Sequence, residues 1–132
     1  MERIAALATL RDKVKAGDDA GFRRANRAAF STPCQDLALQ LREEHCRHAY
    51  KGSLDAAKAL HESVLPKGEG WEIYRTGKYP GMIPGSSPYK YAASVGYGTK
   101  HQASDDNPAR AWLLAMLEAL IAQESTEQRS TE

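Results

Sequence analysis

The run Glu43-Glu44-His45-Cys46-Arg47-His48 is the densest set of side chains able to do chemistry in the chain. On a helix, His45 and His48 share a face, Glu44 lies four residues before His48, and Cys46 turns about 100° away from His45. A structural zinc ion takes four N, S or O ligands at about 2.0–2.3 Å. One helix supplies two of them here and Cys34 is three turns away, so His61 or His101 would have to complete the set. One inward-leaning and one solvated histidine is the simpler reading, and neither a metal nor a cofactor is expected. A Cys34 or Cys46 nucleophile with His101 as base lacks any adjacent partner pattern, and there is no Gly-x-Ser-x-Gly elbow. The pairs Asp18-Asp19 and Asp105-Asp106 stand where helix starts favour negative charge. The stretch "PGSSP" at 84–88 resembles a phosphate loop but lacks the lysine and the helix start that would aim N–H groups at an anion. No catalytic set emerges, and an enzyme is not expected.

Two surfaces remain. One is "GKYPGMIPGSSPYKYAASVGYGTKH", residues 77–101, in which prolines stiffen a connection carrying Lys78, Tyr79, Met82 and Ile83, with Lys90 following. Apolar residues on a proline-stiffened loop cost little entropy to immobilise on binding. These five residues are the expected partner-binding surface. The other is "FRRANR", which sets Arg23 and Arg27 on one helix face beside Arg24. Such a run is ordinarily a solvated face. Its sharper reading, together with Lys100 and His101, is a contact surface for an anionic ligand, nucleotide or nucleic acid.

Composition bounds both readings. The chain has 132 residues, 42% hydrophobic and 27% charged, with a net charge of +1. That length fits one domain able to bury its own core. Charge is uneven: +2 over residues 1–66, +3 over 67–101 and −4 over 102–132. A mildly basic middle admits an anionic ligand but falls short of the footprint of a dedicated nucleic-acid domain. The longest uncharged apolar run, Ala111 to Leu117, is far below the roughly 20 residues of a membrane span, and the N-terminus does not read as a signal peptide. A cytoplasmic setting follows as the expectation. Cys34 and Cys46, on one helix, would lie roughly 18 Å apart, beyond the ~7 Å limit for a disulfide. Free thiols fit a reducing compartment.

The elements that must position these residues alternate in period. Ile4, Leu7, Leu10 and Val14 mark a first helix that stops at Gly17. Asp18 or Asp19 caps a second, with Phe22, Ala25, Ala29 and Phe30 inward. Thr32 and Pro33 open a third, its inner face following Leu37, Ala38, Leu41 and His45. Ser53 caps a fourth, with Leu54, Ala57, Leu60, His61 and Val64 as its stripe, closed by Pro66. The period then falls to two. "WEIYRT" and "YKYAASVGY" read as strands, the second with Tyr89, Tyr91, Ala93, Val95 and Tyr97 on the core face and Lys90, Ala92, Ser94 and Gly96 opposite. Two strands make a weak sheet, so a third is expected from the connection between them or from a second copy of the chain. The small-residue face leaves room for the N-terminal helices or a second protomer. Asn107 and Pro108 start the last helix, whose apolar face runs Ala109, Trp112, Leu113, Met116, Leu117, Leu120 and Ile121 and must lie on the sheet.

This order gives an α+β fold: helices on a small antiparallel sheet, an α-β-β-α core in three layers with an N-terminal helical extension. The expected single domain divides into an extension over 1–46, the core over 47–123 and a flexible acidic tail over 124–132. The pattern of Tyr50, Ser53-Leu54-Asp55-Ala56-Ala57, Trp71 and Asn107-Pro108-Ala109-Arg110-Ala111 resembles the phage ABA sandwich domain family over about residues 47–122. The resemblance implies that fold and a phage or prophage origin, and no reaction. The expected function is a non-enzymatic binding protein acting through contacts with a host or phage protein, as an oligomer, in a setting such as counter-defence or host takeover. The alternative is a small-ligand, nucleotide or nucleic-acid binder using the basic surface.

Overall fold

A computed structural model of the chain describes residues 2–30, 37–65, 70–75, 90–96 and 100–130. It is an α+β fold in which helices pack on a three-stranded antiparallel sheet. The helices are α1 (Glu2–Ala16), α2 (Asp19–Phe30), α3 (Leu37–Tyr50), α4 (Leu54–Val64) and α5 (Pro108–Ser130); the strands are β1 (Trp71–Arg75), β2 (Tyr91–Val95) and β3 (His101–Asp105).

Local chemistry sets the helix ends. Gly17 takes φ +69°, a left-handed conformation that side chains disfavour. It lets its own N–H donate to the Val14 carbonyl and the Asp18 N–H donate to the Lys13 carbonyl, closing α1. Asp18, not Asp19, then caps α2, its carboxylate accepting from the Gly21 N–H at 3.0 Å. That bond, with Lys13 beside it, holds the Asp18 carboxyl below the usual carboxylate range. Gly52, at φ +112°, ends α3 in the same way as Gly17 ends α1, and Ser53 opens α4 by accepting from the Ala56 N–H at 3.1 Å. Asn107 caps α5 as its sequence position implies, its Oδ1 accepting from the N–H groups of Ala109 and Arg110.

The sheet order is β1-β2-β3, with Ile73 opposite Ala93 and Ala93 opposite Ala103. The third strand follows β2, whereas it was expected from the connection before β2 or from a second copy of the chain. "HQASD" carries no β-branched or aromatic residue, so propensity does not mark it. Its pairing to β2 and its packing against α5 make it a strand. Lys90 lies just before β2 rather than on it, and its N–H donates to Asp106 Oδ1.

α5 is the middle layer. One side meets the sheet, where Ala93 and Val95 are buried and Trp71 stacks on Trp112 with ring centroids 4.2 Å apart. α1, α3 and α4 pack against its other sides, and α2 packs on α1 and α3. All seven residues from Ala111 to Leu117 are buried, as expected for a helix without a solvent face. The N-terminal helices therefore cover α5, not the small-residue face of β2 for which the sequence reading offered them. On that face Tyr74 and Gln102, from the flanking strands, meet across β2 through a 3.1 Å hydrogen bond, and Ala92 and Ser94 are buried.

Three expectations need correction. Leu41 and Leu54 are 50% and 45% exposed, so neither belongs to the inner stripe assigned to it. Of the face assigned to α3, Leu41 is exposed and His45 half-buried, while Cys46, Ala49 and Tyr50 are buried where the helix packs on α2, α4 and α5; the side chains of Leu37 and Ala38 lie outside the described ones. Finally, α5 continues to Ser130 through the stretch expected to be a flexible tail from 124, which contains no glycine or proline to stop it. No helix among the described residues is long and apolar enough to cross a membrane.

A candidate arginine-lined contact site

α2 presents Phe22, Ala25, Asn26, Ala29 and Phe30 inward and turns Arg23, Arg24 and Arg27 outward, the helical period separating the two sets. α3 lies alongside, tied to α2 by Asn26, whose Nδ2 donates to the Glu43 carbonyl at 2.9 Å. The three arginines of α2 meet Arg47 of α3 in a hollow of about 370 Å³ that is also lined by Phe22, Asn26 and Glu43. A second hollow, of about 390 Å³, is lined by Asp19, Phe22, Arg23, Arg47, Tyr50, Lys51 and Arg110. Arg23 and Arg47 belong to both, so the two form one surface carrying six cationic side chains.

A stack of planar groups anchors that surface. The Phe22 and Tyr50 rings lie 4.0 Å apart and nearly parallel at 12°. The Arg110 guanidinium carbon sits 4.5 Å from the centre of the Tyr50 ring, and Arg110 Nε donates to the Tyr50 carbonyl. The Tyr50 hydroxyl donates to Asp19. Burial, together with the Asp19 carboxylate, pushes the Tyr50 hydroxyl pKa up to about 12. Phe22 and Tyr50 are 2% and 4% exposed, so the stack is part of the core and offers no open ring face.

The cations divide by how firmly they are held. Arg110 is fixed by Tyr50. Arg27 is 3.9 Å from Glu43 and Arg47 is 3.8 Å from Glu44, both on exposed arms, where such pairs contribute little. Arg24 feels Asp18 only at longer range. The side chains of Arg23 and Lys51 make no hydrogen bond or ion pair among the described residues. An anion entering either hollow thus meets guanidinium groups that have little to give up.

The other residues singled out from the sequence fall elsewhere. Lys78, Tyr79, Met82 and Ile83 lie outside the described residues. Lys90 is exposed. Lys100 is exposed and His101 is the half-buried first residue of β3, paired with Val95; neither lines the arginine hollows, so they do not join Arg23, Arg24 and Arg27. His45 is half-buried, and His48 is exposed, 3.8 Å from Glu44. No group of three or more metal-ligating side chains forms among the described residues. Cys46 is fully buried, and burial pushes its thiol pKa far up, which disfavours the nucleophilic thiolate. His61 is buried in α4 and accepts from Trp112 Nε1 at 3.2 Å, a packing role.

Sequence reasoning missed Arg47, Lys51 and Arg110 as members of the arginine surface. Arg47 and Lys51 are four apart on or beside α3, a spacing matching Arg23 and Arg27 on α2. That repeated spacing was the available signal. The chain matches no protein-family model, no curated protein and no solved structure.

Proposed function

We propose that this is a non-enzymatic binding protein that acts through protein contacts, and that its contact surface is the double hollow between α2, α3 and the start of α5, which takes an acidic segment of a partner. The observation that carries this reading is the convergence of Arg23, Arg24, Arg27, Arg47, Lys51 and Arg110 on one surface. A phage or prophage origin, with a partner in the cytoplasm of the host, is part of the proposal and rests on the resemblance to phage ABA sandwich domain proteins.

Two features favour an acidic polypeptide over a nucleic acid. Asp19 and Glu43 sit among the cations and would repel a continuous phosphate track. The aromatic rings beneath are buried, so no platform is open for base stacking. The net charge of +1 points the same way.

The test is fluorescence anisotropy with a labelled glutamate-rich peptide, in parallel with a labelled oligonucleotide. Saturable peptide binding that weakens with salt is expected. Changing Arg23 and Arg47 to serine together should cost at least about tenfold in affinity, because each charge-assisted bond contributes on the order of 1.5 kcal/mol. An oligonucleotide that binds more tightly than the peptide would shift the reading to nucleic acid. Peptide binding unaffected by the double substitution would remove the site.

A further inference from the structure

Asn26 is 2% exposed and lines the first hollow among arginines that reach solvent. Its orientation is fixed, because the Glu43 carbonyl can only accept and so must face the Asn26 NH2 group. The carboxamide oxygen, Oδ1, is then left buried without a hydrogen-bond partner among the described residues. A buried acceptor in this state is costly, and native structures seldom leave one without a reason. The surrounding arginines have donors to spare, yet none of them donates to it.

We infer that the first hollow selects a ligand bringing a hydrogen-bond donor among its anionic groups: an acidic peptide whose backbone N–H reaches Asn26 Oδ1 while its carboxylates meet Arg23, Arg24, Arg27 and Arg47. This rests on the acidic-segment reading and makes it more specific. A peptide carries an amide N–H between every pair of side chains. A phosphodiester backbone or a polyacrylate carries the charge without the donor. The arginines beside Asn26 are lightly held and can rearrange around an entering peptide: the Arg23 side chain has no ion pair among the described residues, and the Arg27 side chain, 3.9 Å from Glu43, is 79% exposed. Asn26 thereby acts as a specificity residue, and the guanidinium groups supply attraction that any polyanion can share.

Competition on the full-length chain tests this. A labelled glutamate-rich peptide is displaced by the same peptide unlabelled, by its backbone N-methylated form, by polyacrylate of matched charge, and by an oligonucleotide. The unmodified peptide should compete about tenfold better than its N-methylated form and polyacrylate, which lack the donor. Binding of the unmodified peptide should also move the NMR signal of the Asn26 side-chain carbonyl carbon, and polyacrylate should not. Equal competition by N-methylated peptide and polyacrylate would overturn the donor requirement while leaving the acidic-segment reading intact. No binding by any acidic peptide would overturn both.

Discussion

The last helix and the second helix meet solvent in opposite ways. α5 buries every residue from Ala111 to Leu117 because sheet and helices enclose it, and its identity is spent on packing. α2 buries one side and turns three arginines outward, with Arg23 lacking an ion pair among the described residues. A residue enclosed on all sides reports the fold. An exposed charge without an ion pair adds little to the fold, and under the proposed function it serves a partner. The contrast predicts that substitutions in α5 move stability, while those on the outer side of α2 move binding.

The largest effect belongs to α5. Leu117 is fully buried, and Leu117→Ala should cost about 2–5 kcal/mol in urea unfolding, since a packed core relaxes only partly around the cavity. A loss below about 1 kcal/mol would mean that α5 has a solvent face, and the contrast would fail. Next comes Trp112→Phe, which keeps an aromatic ring but removes the N–H that donates to His61 Nδ1. Losing that donor in a buried site should cost about 1–3 kcal/mol. Trp71, stacked on the same ring, provides the fluorescence signal by which to follow unfolding.

A third effect joins the two regions. Tyr50 sits under the arginine surface, and its hydroxyl keeps its proton up to about pH 12 in the folded chain, against about 10 in an unfolded one. Between those values the unfolded state has released the proton and the folded state has not. The stability linked to this group is therefore fully present below about pH 10 and is lost as pH rises towards 12. The wild-type melting temperature should fall more steeply over that interval than that of Tyr50→Phe. Parallel slopes would show that the hydroxyl ionises freely and that its bond to Asp19 is not held in solution.

Most of the fold was legible because its signals are local and periodic. Gly17, Ser53 and Asn107 fix helix ends by backbone geometry and short-range hydrogen bonds, and each stands where its type implied. β3 escaped notice because "HQASD" gains its strand character from pairing with β2, a contact between distant residues that no window of sequence contains. The inner face of α3 was misread for a related reason. Leu41 is apolar yet 50% exposed, while Tyr50 is drawn inward by Phe22 and Arg110, from two other helices. The arginine surface was half legible. Arg23, Arg24 and Arg27 announce themselves as a run, but Arg47, Lys51 and Arg110 join them only once α2, α3 and α5 are packed.

The smallest stability effect makes the sharpest test. Arg23→Ser removes an exposed side chain without an ion pair among the described residues, so unfolding free energy should change by no more than about 0.5 kcal/mol. Arg110→Ser provides the control. Its guanidinium covers the Tyr50 ring and donates to the Tyr50 carbonyl, and removing it should lower stability measurably, by about 1 kcal/mol or more. Both changes take one positive charge from the same surface, so general electrostatics predicts equal losses of acidic-peptide binding. If Arg23→Ser lowers peptide affinity at unchanged stability while Arg110→Ser lowers both, Arg23 serves the partner alone and the stacked Arg110 serves the fold as well. Were Arg23→Ser to destabilise the chain as much as Arg110→Ser, its side chain would be a structural member, and the division between enclosed and outward-turned helices would not hold.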